Sequence, residues 1–318
     1  MVILLSMAIL SLILFGYGSS ENLEEKDHAK IENLGNKNTF KPASDPAFTV
    51  RTYNIGYLSG MTNNKTKKSG KKFFENNLLQ SRKLLSDVNP DIVAFQEIDF
   101  DSWRSYETDQ AEQLARNRYP FLAKAVNWDK KYVPFPYGLP NVHFGKIVSG
   151  QAILSRFPII TQKIDTLSQV KSVPFYYNQF YLERLAQTAI LQLGKRKLAV
   201  INLHLEAFDA PTRAKQTQYV LNLFRKTAQK YPTIMLGDFN SSPDEKNPTI
   251  SILLNSGLST VDLDRNHLEY TFSSAKPYSR LDYIFYSKEL TLIKARVVKE
   301  ASMISDHLPV EANFRFNN

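Results

Sequence analysis

The chain has 318 residues, 43% of them hydrophobic, which is enough for one domain of about 270 residues or two smaller ones. It contains no cysteine, so disulfides, thiolate metal centres and lipid attachment to an N-terminal cysteine are excluded. A formal charge of +9 favours an anionic partner, nucleic acid or a phospholipid surface, without choosing between them.

Val2 to Tyr17 is almost wholly apolar, and the first charged side chain is Glu21. The stretch is shorter than the ~20 residues of a comfortable membrane span. Small residues follow it at Gly16, Gly18, Ser19 and Ser20, as at a signal-peptidase site, although the usual basic n-region is missing. Residues 1–20 are therefore expected to be a signal peptide or an N-terminal membrane anchor. That makes the protein extracytoplasmic: secreted, periplasmic or held at the membrane. Residues 21–47 are charged and turn-rich and are expected to be a polar linker, with a single domain over 48–318.

The domain opens with a strand from Phe48 to Asn54, followed by a loop carrying Lys65, Lys67, Lys68, Lys71 and Lys72. Phe74, Leu78, Leu85 and Val88 fit one helical stripe, closed by Asn89-Pro90. Asp91 to Glu97 is a short apolar strand that ends on a carboxylate. A helix is expected over Ser102–Arg118, a strand over Phe121–Val126 and a loop over Trp128–Phe144. A strand then runs from Ser149 to Arg156, and Phe175, Tyr176 and Tyr177 begin an aromatic cluster. Three adjacent aromatics cannot all face one core from a strand, so an extended segment here would expose at least one. Arg184–Leu193 and Lys197–Leu203 read as paired strands, the second delivering His204. After a helix over about Pro211–Gln229, the run Ile234-Met235-Leu236-Gly237-Asp238-Phe239-Asn240 reads as a buried strand ending in two polar residues at i and i+2. On an extended chain these point the same way. Strands at Arg280–Tyr286, Thr291–Val298 and Pro309–Phe316 complete the pattern.

Five strand ends thus carry chemistry: Asn54, Glu97, His204, Asp238 with Asn240, and Asp282. Ser305-Asp306-His307 precedes the final strand. Hard oxygen donors such as Glu97 suit Mg²⁺. A zinc site would want clustered His or Cys, a serine hydrolase a Gly-x-Ser-x-Gly elbow, and a nucleotide cradle a Gly-rich loop, and the sequence has none of these. What remains is metal-assisted hydrolysis of a phosphoester by activated water.

The ordered set Tyr-Asn, Gln-Glu, Ser-Gly…Leu-Ser-Arg, Asn-Leu-His-Leu, Gly-Asp-Phe-Asn, Arg-Leu-Asp-Tyr and Ser-Asp-His resembles the endonuclease/exonuclease/phosphatase superfamily, also called deoxyribonuclease-I-like, over roughly residues 48–316. The resemblance implies an α/β fold, a four-layer αββα sandwich of two mostly antiparallel sheets with outer helices. It implies metal ligation by Glu97, with Asn54 beside it and Asp306 nearby, for Mg²⁺ or Mn²⁺. Asp238 would orient or deprotonate the attacking water and Asn240 would hold the phosphate. His307, paired with Asp282, would sit at the scissile phosphate, and His204 would donate a hydrogen bond to phosphate or leaving group. The acid that abasic-site nucleases carry two residues after the first Asn is Gly56 here. The glutamate partner of the deoxyribonuclease branch falls where this chain has Ser149-Gly150.

The implied activity is that of an exported or membrane-associated Mg²⁺-dependent phosphodiesterase of nuclease type. Lys68, Lys71 and Lys72 would contact phosphates and aromatics would stack on bases. The alternative is a sphingomyelinase or phospholipase C-like hydrolase, with Phe175, Tyr176 and Tyr177 wedged into a membrane surface. A catalytically silent binding module of the same fold is the third reading. No protein partner is implied.

Overall fold

A computed structural model describes residues 2–35, 47–63, 65, 69–261 and 269–317. They form two mixed sheets. The first runs β1 (Ala29–Asn33), β4 (Phe121–Val133), β5 (Gly145–Ser155), β3 (Ile92–Asp99), β2 (Ala47–Asn54), β13 (Val310–Phe316) and β12 (Leu290–Val297). The second runs β10 (Ser259–Thr260), β11 (Asp282–Tyr286), β9 (Thr233–Asp238), β8 (Arg196–His204), β7 (Leu185–Leu193) and β6 (Ile159–Thr166).

Each sheet contains one parallel pair, β2–β3 and β8–β9, and its other pairs are antiparallel. A parallel pair needs a crossover, and α2 (Lys71–Val88) and α5 (Ala210–Ala228) supply the two. Sequence explains both helices. α5 begins where the Asp209 carboxylate accepts from Thr212 N at 2.8 Å, with Pro211 in the first turn. α2 ends at Asn89, left-handed at φ 49, before Pro90. The shorter α3 (Gln110–Ala115) and α6 (Ser251–Leu254) pack beside α2 and α5 respectively, giving helices outside both sheets. This is the expected four-layer sandwich.

Strand alternation divides the core. Ile234 and Leu236 of β9 lie in the cluster between the sheets with Val50, Ile92 and Val200, whereas Met235 joins Val220 and Phe224 under α5. Asp238, next in the inward register, points between the sheets for the same reason.

Three stretches differ from expectation. The helix expected over 102–118 is broken: a single turn at Trp103–Ser105 gives way at Tyr106 and Glu107, with φ of 60° and 55°, and α3 starts only at its Asp109 cap. Buried Arg104 is pulled inward to Asp99, with Nη2 2.8 Å from Oδ1, which no helical stripe would require. The loop expected from Trp128 is strand as far as Val133, because register shifts at Val126/Trp128 and Lys130/Val133 disturb the alternation that sequence reading relies on. The stretch expected to be a linker joins the sheet: Ala29–Asn33 pairs with β4, and the backbone N–H groups of Asn22 and Leu23 each donate to the Asp129 carboxylate at 2.8 Å.

The apolar N-terminal stretch is a helix, α1 (Val2–Ser19), about 27 Å long at 1.5 Å per residue. Its Leu5, Leu10, Leu12 and Leu14 are exposed, and Phe15 packs edge-on against Phe175 and Phe180. Among the described residues no helix meets both the length and the apolarity needed to cross a membrane.

Candidate active site

The carboxyl ends of the two parallel pairs meet at one rim of the sandwich, where β3 packs against β8 and β9. Asn54, the last residue of β2, bridges the sheets. Its Nδ2 donates to Glu97 Oε1 at 3.2 Å and to Asp238 Oδ2 at 2.9 Å. Its Oδ1 accepts from Gly56 N at 3.1 Å.

Glu97 reaches this cleft through a broken register. Its neighbour Gln96 faces the interior, with Nε2 2.6 Å from Asn202 Oδ1 of β8, so strict alternation would turn Glu97 away. A left-handed φ of 50° at Glu97, inside the shift between Phe95 and Ile98, re-aims it.

Two glycines let the backbones approach. A Cβ on Gly237 would lie 2.0 Å from Leu203 O, so the contact that sets Asp238 beside His204 requires glycine. A Cβ on Gly56, at φ +51°, would lie 2.9 Å from Asp306 Oδ1. Any side chain at Gly56 would enter the space that Asp306 fills.

The charges divide into two sets. Burial pushes the Glu97 carboxyl above the usual carboxylate range, and the Asp306 charge pushes it further, against hydrogen bonds from Asn63 and Asn54. Two carboxylates that oppose each other at a cleft floor would be relieved by a divalent cation. Glu97, Asp306 and the Asn54 amide oxygen are the hard donors that fit one.

The second set is Asp238, Asp282 and His307, whose ligand atoms all lie within 4.8 Å of one another. That spacing would also admit a metal, but the imidazole is otherwise engaged. His307 Nδ1 is 2.9 Å from Asp282 Oδ2, and its Nε2 is 3.7 Å from Asp238 Oδ2. Burial alone would lower the His307 pKa, yet Asp282 and Asp238 together raise it well above the ordinary value. With its ring charged, His307 is arranged for proton chemistry beside the two carboxylates. Burial, reinforced by Asp282 and opposed by His307, raises Asp238 to about 7. His204 behaves oppositely: burial, Arg184 and His307 push it well below its ordinary value, which leaves a neutral ring 3.6 Å from Glu97 and 3.8 Å from Asp238.

The structure therefore brings Asn54, Glu97, His204, Asp238, Asp282, Asp306 and His307 together. Asn240 is beside them for a different reason from the one its spacing suggested. β9 stops at Asp238, and Asn240 is left-handed at φ 49, folding back so that its backbone N–H donates to Asp238 Oδ1 at 2.8 Å. One amide proton of its side chain goes to Leu205 O at 2.9 Å.

Lys71 and Lys72 open α2, exposed, with Lys71 3.9 Å from Glu75. Lys65, together with Asn63, lines the neighbouring cleft instead. Lys68 lies outside the described residues. Phe175, Tyr176 and Tyr177 begin a short helix, α4 (Phe175–Phe180), with exposures of 73%, 55% and 37%. The three are exposed on a helix, not on the extended segment that was expected.

Sequence reading missed Asn63, whose Nδ2 donates to Glu97 Oε2 at 2.9 Å, and Phe272, whose ring lies 5.0 Å from that of His307. Neither stands in a pattern that marks chemistry. It also missed buried Arg184, whose charge helps push the His204 pKa down.

Known proteins share this fold. The model of the endonuclease/exonuclease/phosphatase family matches residues 52–307. No curated protein matches significantly. Among solved structures, an endonuclease/exonuclease/phosphatase from Beutenbergia cavernae is similar at 18% identity and a TM-score of 0.63, covering 86% of this chain and 72% of that one. A mannosyl-6-phosphatase from Bacteroides thetaiotaomicron is similar at 17% identity and 0.59, covering 85% and 100%. D. rerio TDP2 complexed with a single-strand DNA product gives 17% and 0.58, with the same coverages. At these identities the structural matches speak for the fold alone, while the family model spans most of the chain and all seven clustered residues from Asn54 to His307. The chain belongs to the endonuclease/exonuclease/phosphatase family, whose members are phosphoric ester hydrolases.

Proposed function

We propose that the protein hydrolyses an anionic phosphodiester by attack of a water that Asp238 orients and deprotonates. The observation that carries this reading is the pairing of Asp238, raised to about 7, with His307, held charged, at 3.7 Å. A base with that pKa is half available near neutrality, and the adjacent cation can hydrogen-bond a phosphoryl oxygen as charge develops. Asn54 keeps the Asp238 carboxylate aimed, and Asn240 offers its remaining amide proton to the phosphate. Neutral His204 can donate to the phosphate or leaving group without adding charge. Glu97, Asn54 and Asp306 would hold Mg²⁺ or Mn²⁺, which would supply Lewis-acid charge to the phosphoryl oxygens.

Nucleic acid is the leading substrate. The chain is basic, and Lys65 borders the cleft that reaches Asn63, where a flanking phosphate would lie. The zebrafish neighbour holds a single-strand DNA product in the same fold. A phospholipid headgroup is the second reading, favoured by exposed Phe175 and Tyr176 next to the apolar α1. Export or membrane attachment through residues 1–20 belongs to the same proposal. The test is a panel of plasmid DNA, single-stranded oligonucleotides and liposomes, each with Mg²⁺ or with EDTA. Salt-sensitive, EDTA-sensitive cleavage of nucleic acid is expected. Headgroup release alone would select the lipid reading, and no hydrolysis of any phosphoester would leave a silent binding module.

A further inference from the structure

The interior between the two sheets is not wholly apolar. Gln96, Gln187 and Asn202 lie fully buried there and are joined by hydrogen bonds. Asn202 Oδ1 accepts from Gln96 Nε2 at 2.6 Å, and Asn202 Nδ2 donates to Phe95 O and to Gln187 Oε1, each at 3.0 Å. Gln96 Nε2 also reaches Thr52 Oγ1 of β2 at 3.1 Å, and Gln187 Nε2 reaches Ala123 O of β4 at 3.0 Å. The amides thus tie one sheet to the other through a core built from residues such as Val50, Ile92, Val200 and Leu236. Burying amides costs free energy unless each is paired, and apolar side chains of the same shape would fill the space without that demand. What a buried polar contact can contribute instead is register, since it is satisfied in one alignment only.

The register at stake is that of the reaction centre. Asn202 grips Phe95 and Gln96, the two residues before Glu97, and stands two residues before His204 on β8. The β3–β5 ladder shifts register between Phe95 and Ile98, so it does not fix the backbone at Glu97 from that side. From the β2 side, Ile55 N donates to Gln96 O at 3.0 Å. Asn202 refers the end of β3 to the opposite sheet, where His204 and Asp238 stand in register. Glu97 then meets His204 at 3.6 Å. Gln187 shares the network through Asn202, Ala123 and Gln162, and so holds β4 and β6 rather than β3.

We infer that Asn202 and Gln96 are positioning residues, which set the Glu97 carboxylate against His204 and Asp238 so that both sheets address one phosphate. The inference rests on the reading of Glu97 as a metal ligand in the proposed hydrolase. Both residues act through the strands they hold, without touching the reacting atoms.

The experiment measures Mn²⁺ binding to the full chain by calorimetry, beside Tm and the rate on bis(4-nitrophenyl) phosphate. Gln96→Met keeps the length of the side chain and removes its amide. It should weaken Mn²⁺ binding about tenfold, the low end for groups that orient a metal ligand, and lower kcat with it. Gln187→Met removes an equivalent amide elsewhere in the network, and should lower Tm while Mn²⁺ binding keeps its native strength. Gln96→Met/Gln187→Met/Asn202→Leu replaces the linked amides together and leaves fewer buried partners unmet. It should regain Tm relative to Asn202→Leu alone without regaining Mn²⁺ affinity. A merely structural network would not separate stability from metal binding in this way. If Gln96→Met does not fold, the triple variant decides. Native Mn²⁺ affinity in Gln96→Met, or an equal loss in Gln187→Met, overturns the inference. So does a triple variant that regains metal binding along with Tm. A native protein that binds no Mn²⁺ would instead overturn the reading of Glu97 as a ligand, and the inference with it.

Discussion

His307 donates its Nδ1 proton to Asp282 Oδ2 across 2.9 Å, and both side chains are buried. Among the described residues the other Asp282 oxygen has no hydrogen-bond partner, so this imidazole is the carboxylate's main side-chain contact. That pairing is what outweighs burial and keeps the ring protonated. His307→Ala should therefore lower turnover by ~10²–10³, the usual cost of removing one preorganised donor to developing charge. Asp282→Asn should leave the ring in place but let its pKa fall, moving the alkaline limb of the rate profile to lower pH. Turnover within about threefold of native in His307→Ala would remove this residue from the chemistry.

The pH profile follows from two groups shifted in the same direction with opposite demands. Asp238 must be deprotonated to act as base, and its pKa is raised to about 7, so kcat/KM should climb as pH rises through neutrality. His307 must be protonated, and its pKa is also raised, so activity should persist above the ordinary histidine range before it falls. A cation bound at Glu97 would move the acid limb downward without removing it. Asp238→Asn should lose ~10²–10⁴ in rate together with that limb. A native profile flat between about pH 5 and 9 would sink both assignments.

How much of this was legible in the chain can be argued from particular residues. Asp238, His204 and Asn54 stand at strand ends bounded by apolar runs, and period-2 alternation places Asp238 correctly between the sheets. Asn240 was read by the same alternation and reached the cleft by a left-handed turn instead, which side-chain spacing does not encode. Glu97 depends on a local break of register that inverts its facing. Asn63 and Phe272 come from segments with no periodicity, brought in by the fold. Arg184 is recognised only in three dimensions, by its charge beside His204. The strand from Trp128 to Val133 was hidden for a similar reason, since bulges disturb the alternation used to find strands.

Glu97→Gln keeps the shape of the side chain and removes its charge. Asn54 donates to Oε1 and Asn63 to Oε2, so glutamine keeps one of the two bonds and turns its NH₂ on the other donor, a local loss that the fold should survive. Activity should fall by at least tenfold, and the Mg²⁺ concentration for half-maximal rate should rise in parallel. An unchanged metal titration would show that Glu97 shapes the cleft without holding the ion.

Gly56 tests the geometry from the other side. Alanine there would have to adopt φ +51° and would bring its Cβ within 2.9 Å of Asp306 Oδ1 and 3.0 Å of Ser305 Oγ. The left-handed backbone costs about 1–2 kcal/mol on its own. Displacement of Asp306 should add weaker metal dependence to a lowered Tm. A variant with native stability and native metal titration would mean that the Asp306 carboxylate does not need that space.

The N-terminal boundary can be tested by two truncations that differ in whether buried Asp129 keeps its donors. Removing residues 1–20 deletes α1 and the carbonyls of Ser19 and Ser20, which accept from Lys130 Nζ and Lys131 N. It also uncovers the Phe175 and Phe180 rings that Phe15 touches. These are rim contacts, and the shortened chain should fold, melt within a few degrees of the full chain and keep its turnover of a soluble diester. Removing residues 1–34 is a different operation. Asp129 is 5% exposed and accepts from Asn22 N, Asn22 Nδ2 and Leu23 N at 2.8, 2.7 and 2.8 Å, with His28 Nε2 at 3.2 Å. Taking away those donors strands a buried carboxylate, a loss of about 3–5 kcal/mol by analogy with broken buried pairs. It also strips β1 from β4 and leaves an open edge that invites association. The longer truncation should therefore melt well below the shorter one and self-associate in sedimentation. Asp129→Asn, which needs no counter-charge, should recover part of the lost stability in the longer truncation only. Equal melting temperatures for the two truncations would place the true start of the domain at β2 and reduce residues 21–34 to the linker that composition suggested.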